Sequence, residues 1–291
     1  MSDETGPLAG LPPADRTLLV RPPLELAVLE IRFAADSDDV DPDFGLLARE
    51  RLADLGYDYP RLERAQEARL EIAMQPGSEP MSQVQQVARG WQLHAADGSG
   101  HITLLPGAVV VQTTRYERWS VTLRPVLEAV LNVTEEVLAP TLVARIGLRY
   151  VDRFVDADAD SPARWQGRIH PDLIGAVGHP VLGRHVRAAQ QQVELSLGPA
   201  QGALLRHGPF IDLAVGGATS YLVDIDVFDA ESIRFTAAAL LYRADVLNGS
   251  AASLFQATLT PDYLRSLQRR QATGADPAPS PAPDGAQELT P

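Results

Sequence analysis

At 291 residues and 45% hydrophobic content, the chain can bury one large core or two smaller ones, and no apolar run approaches the roughly 20 residues that span a bilayer. Cys is absent, which excludes thiol catalysis, disulfides and thiolate metal sites together. The formal net charge of -13 argues against general affinity for nucleic acid and leaves room for a basic protein partner or for solubility alone.

The lack of Cys fits a cytoplasmic protein, as does a start without a basic stretch, apolar core and small-residue cleavage site. All 25 basic residues are Arg, and Ala and Pro are abundant, the pattern of a high-GC bacterial genome. Residues 1–17 mix Gly, Pro and acids without periodicity, and 271–291 are dominated by Ala and Pro; both are expected as disordered tails.

Pro22-Pro23 lead into a predicted strand over 24–33, with Ala27, Leu29, Ile31 and Phe33 on one face. Asp36, Asp38, Asp39, Asp41 and Asp43 crowd the next loop. There Asp41 or Asp43 stands as N-cap or first-turn acid of a helix over 44–55. A weaker helical stretch is predicted from Pro60 to about Ile72. Strands over 87–94, 101–105 and 108–114 then form a meander, turned by Asp97-Gly98 and Pro106-Gly107. From 119 to 138, Trp119, Leu123, Val126, Val130, Val133 and Val137 recur at helical spacing. Pro125 lies inside that pattern, so the helix either begins near it or is kinked there.

The strand 146–154 carries Ile146, Leu148, Tyr150 and Phe154 toward a core and Arg145, Arg149 and Arg153 in one row on the opposite side. Asp156, Asp158 and Asp160 begin like a calcium loop, but Ser161 and Gly167 stand where Gly and Glu are required. Strands over 186–197, 203–206 and 221–228 follow. A helix over about 233–255 comes next, weakened at Gly249-Ser250, and then a last helix capped by Thr260 with Pro261 at its first position. The order strand–strand–strand–helix thus occurs twice. It predicts an α+β fold, an antiparallel sheet with helices on one face, as a single unit over 18–270 with related halves of about 18–155 and 156–270.

Certain stretches also carry a family likeness. They are Pro22-Pro23-Leu24 entering Glu30-Ile31-Arg32-Phe33, Gly107-Ala108-Val109-Val110 with Tyr116 and Trp119 after it, and Ile146-Gly147-Leu148-Arg149-Tyr150-Val151-Asp152-Arg153. Tyr221-Leu222-Val223-Asp224-Ile225-Asp226 follows, then a helix with Leu254-Phe255 and Thr260-Pro261. In this order, from about Pro22 to Leu267, the chain resembles a family of prokaryotic proteins of unknown function described as sporadically distributed. The resemblance supplies no catalytic residues. It implies an accessory or horizontally moved gene, such as a defence or toxin-neutralising component.

No H-E-x-x-H, P-loop or G-x-S-x-G motif occurs. Gly98-Ser99-Gly100 and Gly216-Gly217 lie in turns rather than between a strand and a helix, as dinucleotide binding would need. No catalytic residue, cofactor or metal is assigned. His94 and His101 flank the Asp97-Gly98 turn and would need convergent geometry to hold a metal, while His170, His179 and His185 fall in loops. Tyr116, Trp119 and Tyr150 are read as packing aromatics.

Asp224 and Asp226 share one side of a strand. One reading pairs them with Arg145 or Arg149 across the sheet, at roughly 0.2–1 kcal/mol per pair. The other leaves Arg145, Arg149, Arg153, Asp224 and Asp226 as a site for an anion, a phosphate or an acidic peptide, because guanidinium forks fit carboxylates and phosphates. The leading functional expectation is a non-enzymatic accessory protein that neutralises a basic effector protein. The alternatives are a small anionic-ligand or phosphate-binding, even hydrolytic, protein using the Arg row, and a homodimer through an exposed sheet face. Neither nucleic acid nor membrane is an expected partner.

Overall fold

The structure, a computed structural model, describes residues 11–34, 39–73 and 81–268, with side chains described at all of these except 66–73 and 81–89. The acids Asp36 and Asp38 and the Ala/Pro-rich residues 271–291 lie outside them. Strand β1 (Leu24–Phe33) follows Pro22-Pro23, and the expected face of Ala27, Leu29, Ile31 and Phe33 is buried. Helix α1 (Pro42–Asp54) is capped by Asp41, whose carboxylate accepts the Asp43 N–H at 2.9 Å.

The helix predicted over 60–72 is a strand. β2 (Arg61–Ala73) pairs antiparallel along its length with β3 (Met81–His94). Its Glu-, Arg- and Ala-rich sequence favours a helix locally, but the ladder to β3 satisfies its backbone and overrides that weak preference. Within this ribbon Arg64 lies over the Trp91 ring, 4.0 Å from its centre. β3 continues into β4 (Gly100–Leu105) and β5 (Ala108–Thr113), and Gly98, at φ 70°, supplies the left-handed residue of the β3–β4 turn.

The apolar pattern over 119–138 divides into α2 (Trp119–Thr122) and α3 (Arg124–Val137), with Pro125 in the first turn of α3. Then come β6 (Leu142–Phe154), β7 (Gln191–Ser196), β8 (Gln201–Asp212), β9 (Ala218–Asp229) and the short β10 (Ile233–Arg234). Last are α4 (Ala237–Thr258) and α5 (Pro261–Gln268). The strand predicted from 186 begins only at Gln191, and the helix predicted from 233 begins only after Thr236. Thr236 sets that boundary: its hydroxyl accepts the Ala239 N–H at 3.3 Å, while Glu135 of α3 accepts the Ala237 N–H at 2.9 Å. Gly249-Ser250 does not interrupt α4, and Thr260 accepts the Tyr263 N–H at 3.3 Å.

The fold is α+β. The strands form one antiparallel sheet in the order β2-β3-β4-β5-β1-β6-β9-β8-β7, with β10 alongside β6. The two meanders therefore flank a central β1–β6 pair. Helices α1, α3 and α4 pack on one another and on one face of the sheet, and the other face carries the charged residues of β1, β6, β8 and β9. No described helix is long and apolar enough to cross a membrane.

On the helix side, one buried histidine makes stability pH-dependent. His207 of β8 is 1% exposed; its Nδ1 lies 2.9 Å from the Tyr221 hydroxyl and its Nε2 has no partner among the described residues. Burial depresses its pKa. Since the unfolded chain takes up the proton more readily, the stability held by neutral His207 is present above the unfolded value of about 6.5 and is lost as pH falls through the folded value. Urea denaturation at about pH 7 and about pH 5 should show the wild type losing more stability than His207→Gln, by at most about 1.4 kcal/mol per pH unit.

Candidate functional site: a cavity beneath the central strands

The central strand β6 carries polar chemistry on both faces. On the open face, Arg145 donates to Glu30 of β1 at 3.1 Å and to Asp226 of β9 at 3.4 Å. Gly147 makes this possible, since a Cβ there would come within 2.5 Å of the Arg145 guanidinium. Arg149 holds Asp224 through two bonds of 2.7 and 2.8 Å, and Arg206 of β8 reaches the same carboxylate at 3.3 Å. Arg153 bonds Asp212 at 2.7 Å and also Glu25, which a β-bulge between Leu24 and Leu26 carries out of the regular alternation.

Of the five residues singled out from the sequence, Arg145 meets Asp226 and Arg149 meets Asp224, whereas Arg153 is held instead by Asp212 and Glu25. The Ser220 hydroxyl, with Arg153, holds the Asp212 carboxyl below the usual range. Burial pushes Asp226 upward against the pull of Arg145 and Arg149. The cross-strand pairing of Arg145 and Arg149 with Asp226 and Asp224 has the geometry of the structural reading.

The other face of β6 has a different character. There Tyr150 and Asp152 contribute to a cavity of about 860 Å³ between the sheet, α2 and α4, within the size range of small-molecule sites. Tyr116 and Tyr150 meet edge to face with centres 5.5 Å apart and hydroxyls 3.2 Å apart. The Tyr150 hydroxyl donates to Asn248 Oδ1 at 3.1 Å, so the Tyr116 hydroxyl is left to donate to Tyr150. Asn248 sits on the buried stripe of α4 between Ala244 and Ala251.

Asp152 is the outlier. It is 4% exposed, lines the cavity, and receives no hydrogen bond from the described residues. Burial, then the charge of Asp224 behind the sheet, pushes its pKa well above the usual carboxylate range, which favours a protonated carboxyl. Tyr150 is likewise raised by burial, and Tyr59, at the α1–β2 side, is pushed up to about 12 by burial and the neighbouring Asp97.

The cavity's outer wall is a segment assigned from sequence partly to the N-terminal tail. Asp15 exchanges backbone bonds with the Gln256 side chain at 2.8 and 2.7 Å and accepts from Gln268 at 3.0 Å. Further on, the Val20 N–H donates to the Leu267 carbonyl at 2.9 Å. Residues 15–20 therefore cross α4 and α5 as a strap, which places Arg16 beside Tyr116 and Tyr150, where its charge opposes the upward shift of both hydroxyls.

Among the described residues no group of three His, Asp or Glu side chains converges on a point where a metal could sit. His94 and His101 face one another across β3 and β4 with ring centres 6.0 Å apart, but Asp97 turns to the Ser99 N–H at 2.9 Å and to Arg115 at 3.2 Å. Asp156, the first acid of the calcium-like run, bonds Arg168 at 2.7 Å and the Asp158 N–H at 2.9 Å.

Asp152 and Asn248 were not singled out from the sequence, although the signal was present. Strict alternation from Ile146 puts Asp152 on the core side with Leu148, Tyr150 and Phe154. Asn248 likewise falls on the apolar stripe of α4, four residues after Ala244. A polar residue on an apolar face is a site signal because burial without a partner is costly. Tyr116, Trp119 and Tyr150, read as packing aromatics, all line the cavity. Comparison of the chain with protein-family models and with curated proteins gives no match.

Proposed function

We propose that this protein binds a small molecule in the cavity between the central strands and α4, beneath the strap of residues 15–20. The observation that carries this reading is Asp152: a carboxyl 4% exposed, without a hydrogen-bond partner among the described residues, on the wall of a cavity of about 860 Å³. A purely structural core position would be filled by an apolar side chain or would give its carboxyl a hydrogen-bonding partner. Here the unmet bonding capacity faces an opening large enough for a ligand. The adjoining Tyr116–Tyr150–Asn248 chain fixes the polar groups that would orient it.

This departs from the leading expectation of a neutralising protein partner, whose support is net acidity and the family resemblance, and from the anionic alternative at the Arg row. The row's guanidinium groups already have carboxylate partners. The cavity adds geometry that neither reading has, and the proposal is one of binding without an assigned reaction.

The uncharged fluorophore N-phenyl-1-naphthylamine tests the reading. Its emission should rise on binding the wild type with one-site saturation. Ala252→Trp, which adds an indole where α4 lines the cavity, should weaken binding at least about tenfold with folding intact by circular dichroism. No saturable binding, or equal binding by both proteins, would remove the cavity from consideration.

A further inference from the structure

Resting on the cavity reading, we propose that the ligand is an organic cation, an amine, amidine or guanidine on an apolar or aromatic body, with its charged head against Asp152. Three observations favour a cation over an anion or a neutral molecule. The first is the buried carboxyl itself, which among the described residues has no basic side chain bonded to it to balance a negative charge. The second is the wall: Tyr57, Tyr59, Tyr116, Trp119, Tyr150 and Phe255 line the cavity, and aromatic faces attract cations most strongly where water is excluded. The chain already places one guanidinium, that of Arg16, beside Tyr116 and Tyr150.

The third observation is the charge around the opening. Asp15, Asp58, Asp97 and Glu117 line it along with Arg16, Arg115 and Arg118. Of those arginines, Arg115 is committed to Asp97 at 3.2 Å and Arg118 lies 3.8 Å from Glu117. An anion would therefore meet Asp152 with only Arg16 uncommitted to an acid. A cation meets a carboxyl that gains its counter-ion by binding.

The chemistry has a defined proton balance. The protonated Asp152 carboxyl meets the ammonium head, the O–H bond breaks, the proton leaves to solvent, and the carboxylate accepts hydrogen bonds from the ammonium. Binding thus releases up to one proton and tightens as pH rises. The groups that face this event are Tyr150 on β6, Tyr116 ahead of α2, Asn248 on α4 and Arg16 on the strap, with Asp224 behind the sheet and the Asp97–Arg115 pair at the rim. The tyrosines stay neutral near neutral pH because burial raises their pKa, so Asp152 is the titrating partner.

The test is displacement of N-phenyl-1-naphthylamine by a matched set: 1-naphthylmethylamine, 1-naphthylacetate and 1-naphthylacetamide. The amine should displace the dye at a concentration at least about tenfold lower than the acid or the amide. Its affinity should rise with pH for as long as Asp152 of the free protein holds its proton, and calorimetry in phosphate and in Tris should differ by the heat of the released proton. Asp152→Asn should lose the preference for the amine, so that amine, acid and amide displace the dye at similar concentrations. Should the acid or amide compete equally well, or should Asp152→Asn keep the preference, the cation assignment falls while dye binding leaves the cavity reading standing. Failure of the dye to bind at all overturns both.

Discussion

Removing both guanidinium groups from Asp224, in an Arg149→Ala/Arg206→Ala variant, is expected to destabilise the protein by about 3–5 kcal/mol, the usual loss when a buried carboxylate is stripped of its partners. Asp224→Asn should lose only about 1–2 kcal/mol. The asymmetry comes from exposure. The Asp224 side chain is 5% exposed, whereas those of Arg149 and Arg206 are 45% and 30% exposed. Arginines left behind can turn to water, but the buried carboxylate cannot. Urea denaturation of the two variants measures the difference. Equal and small losses, accompanied by lost phosphate binding in the double variant, would instead make the row a ligand site.

The second large effect concerns Asp152 and runs opposite in sign to an ordinary surface carboxylate. Its folded pKa lies above its unfolded one, so the native state keeps the proton to higher pH than the unfolded chain does. Below the unfolded value of about 3.9 both states are protonated and nothing is lost. As pH rises from there toward the folded value, stability falls by about 1.4 kcal/mol per pH unit, and above the folded value the loss stays constant. Asp152→Asn has no proton to lose. Its melting temperature should match the wild type in acid and exceed it near pH 8, by roughly 2–4 °C for each kcal/mol removed. Parallel curves for the two proteins across that range would show that Asp152 titrates as an exposed carboxylate does.

Much of the fold was legible because alternation and caps act locally. The buried face of β1, the Asp41 and Thr260 caps, the meander β3–β4–β5 and the break at Pro125 all follow from residues within a few positions of one another. β2 was misread because its partner, not its composition, decides its state: the same Glu-, Arg- and Ala-rich stretch reads as a helix until β3 is laid beside it. The onset of α4 was placed too early because Ile233 fits the apolar pattern, while Glu135, which joins Thr236 in capping the helix start, is remote in sequence.

The site divides along the same line. The Arg row and the aspartates opposite it could be read from period-two spacing, since both sets lie on adjacent strands in register, Arg149 directly across from Asp226. The bidentate bond runs diagonally, to Asp224, a choice that register alone leaves open. The cavity could not be read as a volume at all. It is assembled from the strap at 15–20, the α1–β2 segment at Tyr57 and Tyr59, the tyrosines of 116 and 150 and the inner face of α4, segments that sequence spacing does not connect. What the sequence did contain was the misplaced acid, Asp152, among the core residues of β6.

Whether that cavity holds a ligand is tested most directly by a crystal structure of the protein with N-phenyl-1-naphthylamine. The expected result is dye density between the Tyr116–Tyr150 pair and the inner face of α4, in contact with Asp152. Density confined to the open face of the sheet beside Arg149, or an empty cavity in crystals grown with saturating dye, would contradict it.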